Sequence, residues 1–175
     1  MANEIFTILL ILHVGAVVAW LGGGSVFVSV VSPALKGVTQ SARGEFLLSA
    51  LPRYIKYLEA SAIIAILAGL GLYAYSSMSA RSASPFSFGT IYIDIGAILG
   101  LIAFIVVFVL VIPSARKSMV ILKQSSKVPL AGSDATSRGN SNDLASLSRK
   151  MSAGAGYAVG TLTLALIFMI IGASV

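Results

Sequence analysis

Residues 5–31 read IFTILLILHVGAVVAWLGGGSVFVSVV, and this stretch decides the fold class. It contains no Asp, Glu, Lys or Arg. As a helix it would extend about 40 Å, at about 1.5 Å per residue. The hydrocarbon layer of a bilayer is about 30 Å thick and needs about 20 apolar residues. The stretch therefore predicts a membrane-spanning helix with length to spare for tilt.

Three more apolar blocks follow, at about 57–75, 91–112 and 153–173. The whole chain of 175 residues is 57% hydrophobic and 10% charged, whereas a soluble domain has about 25% charged residues. Because backbone polar groups cannot stay unpaired in hydrocarbon, each block is expected to be helical. We predict an all-α polytopic membrane protein, a single domain over residues 1–175 built as a four-transmembrane-helix bundle.

The basic residues are concentrated in two connecting segments. Lys36, Arg43, Arg53 and Lys56 lie between spans one and two, and Arg116, Lys117, Lys123, Lys127, Arg138, Arg149 and Lys150 lie between spans three and four. The turn between spans two and three holds only Arg81. Positively charged loops stay in the cytoplasm. This pattern predicts a multi-pass protein of the plasma membrane with both termini non-cytoplasmic. The net charge of +6 then reflects orientation in the lipid bilayer, and no nucleic-acid partner is expected.

The connecting segments differ in composition. Residues 33–53 contain an apolar cluster and are predicted to form a short amphipathic helix at the inner interface, ending at Pro52. Residues 124–148 are rich in Ser, Gly, Asn and Asp and predict a flexible cytoplasmic loop. Residues 76–88 are rich in Ser and predict a turn on the outer side.

Every span carries closely spaced small residues. They are Gly22–Gly24 in span one, Ala65 and Gly69 in span two, Gly96 and Gly100 in span three, and Ser152, Gly156 and Gly160 in span four. Small residues let helix backbones approach each other in lipid. They predict tight packing within one bundle or a face that forms a homo-oligomer or docks on a larger membrane complex.

His13 is the only histidine in the chain and lies inside span one. Ionisable groups inside a span are candidates for function. An uncharged imidazole is a good ligand for copper, zinc or haem iron. Trp20 lies seven residues later, on the same helical face. The competing interpretation is a buried histidine that is hydrogen-bonded to a neighbouring helix.

Asp94 and Met78 lie near the predicted outer ends of spans three and two. Together with His13 they predict a metal site of His13, Asp94 and Met78. His13, Trp20 and Met78 are the candidate cofactor-binding residues, with haem b or copper as the cofactor. Asp94 could instead cap the start of its helix or face the outer water, and Met78 could be an interfacial residue. Glu59, near the inner end of span two, is expected to form an ion pair.

Several short elements resemble the copper-resistance-protein-D-like superfamily of small four-helix membrane proteins. They are Leu12-His13, Trp20-Leu21-Gly22-Gly23 and Ser32-Pro33-Ala34-Leu35 in the first helix, Arg53-Tyr54 and Ala68-Gly69-Leu70 in the second, Val111-Ile112-Pro113 in the third, and Leu147-Ser148-Arg149 before the fourth. A more distant likeness is to the membrane protoporphyrinogen oxidase family, whose first helix also carries a histidine followed by a tryptophan. That family's basic residue inside a later span has no counterpart here. The resemblance implies a metal- or haem-associated membrane protein with His13 as the ligand.

Three classes of function remain open from the sequence. The first is a haem- or transition-metal-binding protein in copper handling or electron transfer. The second is a non-catalytic accessory subunit of a larger, respiratory-type membrane complex. The third is a transporter or channel, although residues 1–76 and 77–175 show no convincing repeat. The sequence contains no cysteine and no nucleotide-binding glycine loop, and whether the protein is an enzyme is not decided by it.

Overall fold

The computed structural model describes residues 2–79, 88–125 and 134–174. Within these ranges the chain is helical except at residues 35–39, and no strand is present there. The α-helices are α1 (Ala2–Val26), α2 (Ser32–Ala34), α3 (Gln40–Ser79), α4 (Phe88–Val106), α5 (Ile112–Ser125) and α6 (Asp134–Ser174). The predicted all-α class is therefore confirmed for the described part of the chain.

Four continuous helical segments are long and apolar enough to cross a membrane. They are Glu4–Ala34, Ser41–Met78, Ile91–Gln124 and Arg149–Ser174. Each of the four predicted spans lies within one of them. The helices are longer than the predicted spans because charged and polar residues extend the helical backbone beyond the apolar blocks.

Two of these segments contain a π-helical turn placed directly before a proline. Phe27–Val31 joins α1 to α2 ahead of Pro33, and Val107–Val111 joins α4 to α5 ahead of Pro113. A proline ring clashes with the carbonyl four residues earlier and has no N–H to donate. A wider turn at that carbonyl relieves the clash, so the helix continues past each proline.

The helices pair as two antiparallel hairpins. In the first, Phe6 of α1 contacts Tyr75 of α3, and Phe27 stacks on Tyr54 near the opposite end. In the second, α4 packs along α6, with Tyr92 stacked on Phe168. We call these the first and the second hairpin. The start of α1 and the end of α6 lie at one end of the pairs. We call the opposite end, where α3 begins, the basic end.

The two hairpins pack on each other mainly toward the basic end. Trp20 of α1 meets Phe104 of α4 edge-on, with ring centroids 6.4 Å apart. The buried core around this contact includes Leu58, Val107 and Leu162, so all four long helical segments contribute to it. The core therefore fixes the position of α1 against α3 and against the second hairpin.

The segment before span two differs from its prediction. Instead of a separate amphipathic helix ending at Pro52, α3 begins at Gln40 and continues through Pro52 into the span. Proline removes one helical hydrogen bond but fits where packing holds the helix on both sides. Leu51 and Ile55 supply that packing, since both are buried in the core. The predicted amphipathic face exists, but it belongs to the spanning helix.

The segment predicted as a flexible loop at 124–148 also differs in part. Residues 134–148 form the first turns of α6, while residues 126–133 lie outside the described part of the chain. Ser, Gly and Asn are weak helix formers, so propensity alone disfavours this helix. Half-buried Leu147, near the end of this stretch, lies beside α5. In the predicted turn at 76–88, residues 80–87 with Arg81 are not described either.

Candidate functional site at His13

The imidazole of His13 is held against α3 by one hydrogen bond. Its Nδ1 lies 2.7 Å from the main-chain oxygen of Ala65. A carbonyl oxygen can only accept, so Nδ1 carries the hydrogen and donates it. In an uncharged imidazole the lone pair then lies on Nε2. The hydrogen bond therefore selects the tautomer whose Nε2 carries the lone pair.

Gly69 makes room for this imidazole. A Cβ atom at Gly69 would lie 2.8 Å from Cε1 of His13 and 3.0 Å from Nδ1. Ala65 and Gly69 are four residues apart and face the same side of α3. The pair was predicted as a small-residue packing motif, and the structure shows that it forms the seat of the His13 ring.

Two tyrosines of α3 make similar contacts further toward the basic end. The hydroxyl of Tyr57 donates to the main-chain oxygen of Ala19 at 3.1 Å, and that of Tyr54 donates to the main-chain oxygen of Gly23 at 3.1 Å. Together with His13 they link side chains to main-chain carbonyls across the first hairpin. These contacts fix the rotation of α1 about its axis, which keeps His13 directed at α3.

Trp20 occupies a different environment from His13. It is only 3% exposed and packs against Phe104 of the second hairpin. It also lines an apolar cavity of about 40 Å³ with residues of α3, α5 and α6. Small-molecule sites usually have volumes of about 300–1,000 Å³. The structure therefore places Trp20 in the core of the protein, where the adjoining cavity is too small for a cofactor.

Asp94 lies within α4 and not at its start. The helix begins at Phe88, so Asp94 is in its second turn, and the alternative prediction of a helix-start cap does not match this position. Its Oδ1 atom is shielded from solvent, and no described residue forms a hydrogen bond with it. Neighbouring Tyr92 and Gly96 face Phe168 and Met169 of α6. Asp94 is thus a polar group in an apolar part of the second hairpin.

Met78 lies apart from the His13 seat. It follows Gly69 by nine residues on α3, about 13 Å along the helix. Its side chain is 78% exposed. Among the described residues, no three His, Cys, Asp or Glu side chains gather as a metal site. The geometry thus presents His13 as a single candidate ligand.

Glu59 forms the expected ion pair, but with a partner from the second hairpin. Its Oε1 accepts from Nη2 of Arg116 at 2.5 Å. Arg116 lies on α5, so this contact ties the two hairpins together at the basic end. The ion pair expected for Glu59 is therefore present in the structure.

Sequence reasoning did not identify Tyr54, Tyr57 or Gly69 as part of the site. The available signal was their spacing along span two. Tyr57, Ala65 and Gly69 recur at intervals of eight and four residues, which places them along one helical face. In apolar surroundings a tyrosine hydroxyl needs a hydrogen-bond partner, and a neighbouring helix can provide it. The partner carbonyls on α1 carry no sequence signature.

No protein-family model, curated protein or solved structure matches this chain.

Proposed function

We propose that this chain is a multi-pass protein of the plasma membrane with both termini on the non-cytoplasmic side. Four apolar helical segments of sufficient length support it, and so does the concentration of Lys and Arg in the segments of the basic end. A reporter that is active only outside the cytoplasm should be active when it is fused at either terminus. After Gly37, only a reporter that is active in the cytoplasm should give a signal. Cytoplasmic signals from both termini would overturn the orientation.

Within that membrane frame, Nε2 of His13 is the proposed ligand for haem b or copper, in electron transfer or copper handling. The single observation that carries this proposal is the hydrogen bond from Nδ1 to the Ala65 oxygen. Histidines that bind metals usually donate their other ring N–H to a carbonyl or carboxylate, which sets the tautomer and the ring orientation. His13 has this arrangement, and its ring is partly exposed.

Haem is the better supported of the two cofactors. In haem the porphyrin supplies four nitrogens, so one axial imidazole from the protein is enough for attachment. Copper needs several protein ligands, and none of the described carboxylates joins His13 in a metal-binding group. A bound haem would supply one-electron chemistry. Its place would be beside the partly exposed ring of His13, because the core cavity of about 40 Å³ is too small.

The visible spectrum and metal content of the purified protein test this proposal. We expect a haem absorption band that His13→Ala abolishes and added imidazole restores. Trp20→Phe is the control, because it changes an aromatic core residue of the same helix and should keep the band. A colourless, metal-free preparation that takes up neither haem nor copper on addition would rule the proposal out, as would an unchanged spectrum in His13→Ala.

A second candidate function is that of a non-catalytic accessory subunit of a larger, respiratory-type membrane complex. It is favoured by Gly156 and Gly160 on α6, where an added Cβ would meet no atom within 4 Å. Tyr157 beside them is 74% exposed. Extraction in mild detergent should then give a particle much larger than one chain, and Gly160→Leu should reduce its size. Recovery of both proteins only as a monomer or dimer would exclude this function.

A further inference from the structure

The apolar cavity beside Trp20, with a volume of about 40 Å³, lies where the two hairpins meet. All four long helical segments contribute to its wall. Both π-helical turns described above also reach it, the first through Phe27 and the second through Val107 and Val111. Such turns occur frequently at functional sites. The cavity is therefore the place where two separate irregularities of the helices converge.

Small side chains leave this space unfilled. The wall contains four of them, which are Gly24 of α1, Ala115 of α5, and Ala155 and Ala158 of α6. Protein cores are close-packed and contain few voids larger than a water molecule. The atoms that surround a void lack contacts on one side. A bound molecule would supply those contacts, so the cavity can bind a ligand by packing alone.

The lining of the cavity is almost wholly aliphatic and aromatic. The hydroxyl of Tyr54 already donates to the main-chain oxygen of Gly23. The sulfur of Met151 accepts from the hydroxyl of Ser118 at 3.8 Å. A buried water needs about two to four polar partners. Because these polar groups are already engaged, an apolar occupant is favoured over water.

The volume of the cavity limits the occupant to a very small molecule. About 10–15 Å³ is enough for one water, whereas an apolar cavity of about 150 Å³ holds a benzene ring. At about 40 Å³ the cavity has room for a molecule of about two or three non-hydrogen atoms. It is too small for a lipid chain or an aromatic ring.

We propose that this cavity binds one small apolar molecule of the size of dioxygen. Molecules of this class leave water readily for apolar surroundings, and a hydrocarbon layer around the helices would supply them. The site rests on the geometry of the core. It is independent of any cofactor at His13, which precedes Trp20 by about 10 Å along α1.

Crystals of the full chain held under xenon pressure test the site directly. Xenon is the probe because it is apolar, occupies dry cavities and scatters X-rays strongly. We expect one xenon atom beside the indole of Trp20. Ala155→Leu should remove this xenon, because the longer side chain would occupy the cavity, and the milder Ala155→Val should lower its occupancy. Xenon found only on lipid-facing surfaces of the unaltered protein would overturn the proposal, as would an ordered water in the cavity.

Ala153→Leu is the matched control for these variants. Ala153 is exposed on the same helix and does not line the cavity. The same added side chain should therefore leave the xenon site beside Trp20 at full occupancy. Loss of xenon from Ala153→Leu as well as from Ala155→Leu would contradict the proposal, because binding would then not depend on filling the cavity.

The fluorescence of Trp20 tests the site in solution, since Trp20 is the only tryptophan of the chain and is 3% exposed. Dissolved dioxygen should quench this fluorescence more strongly in the unaltered protein and in Ala153→Leu than in Ala155→Leu or Ala155→Val. Iodide, which is charged and stays in water, should quench it weakly in all four proteins. Equal quenching by dioxygen in the four proteins would show that dioxygen does not reach Trp20 through the cavity.

Discussion

The two hairpins are held together by different means. In the first hairpin, His13, Tyr57 and Tyr54 each donate a hydrogen bond to a main-chain oxygen of the opposite helix. In the second, close contact between the helices depends on a glycine, which has no side chain. A Cβ on Gly96 would lie 2.7 Å from Cγ of Met169. The first hairpin thus adds polar contacts to close packing at Gly69, whereas the described part of the second hairpin depends mainly on close packing.

This difference suggests separate roles: the first hairpin orients a candidate functional side chain, and the second provides a packing surface. In apolar surroundings a hydrogen bond between helices sets the direction of a side chain, while close packing sets only the distance between backbones. The first hairpin therefore holds an imidazole in one tautomer and orientation. The second hairpin presents no comparable set of contacts in its described residues, and it acts as a rigid surface for Trp20 and the core.

The largest loss of stability is expected where an added methyl group would press against the main chain of the neighbouring helix. In Gly96→Ala the new methyl group would lie 3.0 Å from the main-chain oxygen of Ala165, which cannot rotate away, and would also clash with Met169. We expect a loss of about 1–3 kcal/mol in the free energy of unfolding. Reversible unfolding in mixed micelles would measure it. Gly100→Ala is the control, because a Cβ there meets nothing within 4 Å. Equal stability of the two variants would contradict steric fit in the second hairpin.

The corresponding change in the first hairpin should lower stability less but should impair the proposed binding of haem. In Gly69→Ala the methyl group meets the imidazole of His13, and a side chain can swing away from it. The loss should be about 1 kcal/mol, the value of one hydrogen bond. The ring would also lose its fixed orientation, so uptake of haem by the purified protein should fall. Gly15→Ala on α1 is the control, since a Cβ there meets no neighbouring atom. Normal uptake of haem by Gly69→Ala would show that the position of the His13 ring against Gly69 is not needed for haem binding.

The sequence was sufficient to predict the helices, because long uncharged blocks such as 5–31 admit no other structure in lipid. It was insufficient to predict their ends. Pro52 suggested a boundary, but burial of Leu51 and Ile55 carries α3 through it. Residues 134–148 are likewise helical although Ser, Gly and Asn in that stretch are weak helix formers. At Pro52, packing overrides local propensity.

For the candidate site, the sequence pointed to His13 as the candidate ligand but not to its surroundings. A lone histidine within an apolar block was a clear signal for His13. Its hydrogen-bond acceptor is a main-chain oxygen at Ala65, and main-chain groups leave no mark in a sequence. The proposed companions Asp94 and Met78 were grouped by depth along their helices alone. Depth does not define which way a side chain faces, and Met78 turns out to be mostly exposed.

A smaller effect is expected from the tyrosine contacts of the first hairpin. Tyr54→Phe removes the hydroxyl that donates to the Gly23 oxygen but keeps the ring that stacks on Phe27. Hydrogen bonds between transmembrane helices average about 0.6 kcal/mol. We expect a loss of that size in unfolding free energy, with more in Tyr54→Phe than in Tyr57→Phe, because Tyr57 is more exposed. A change below measurement error in both variants would mean that packing alone holds this hairpin.

The smallest effect is expected at the ion pair that joins the hairpins. Glu59 is 21% exposed and Arg116 is 62% exposed, so water and salt screen their attraction. Exposed pairs contribute about 0–1 kcal/mol, and Glu59→Gln should lower the free energy of unfolding by at most about 0.5 kcal/mol. A double-mutant cycle with Arg116→Gln isolates the pair from the rest of each side chain. A coupling energy well above this value would show that the hairpins are joined by charge. A value near zero would leave the apolar core around Trp20 as their main connection.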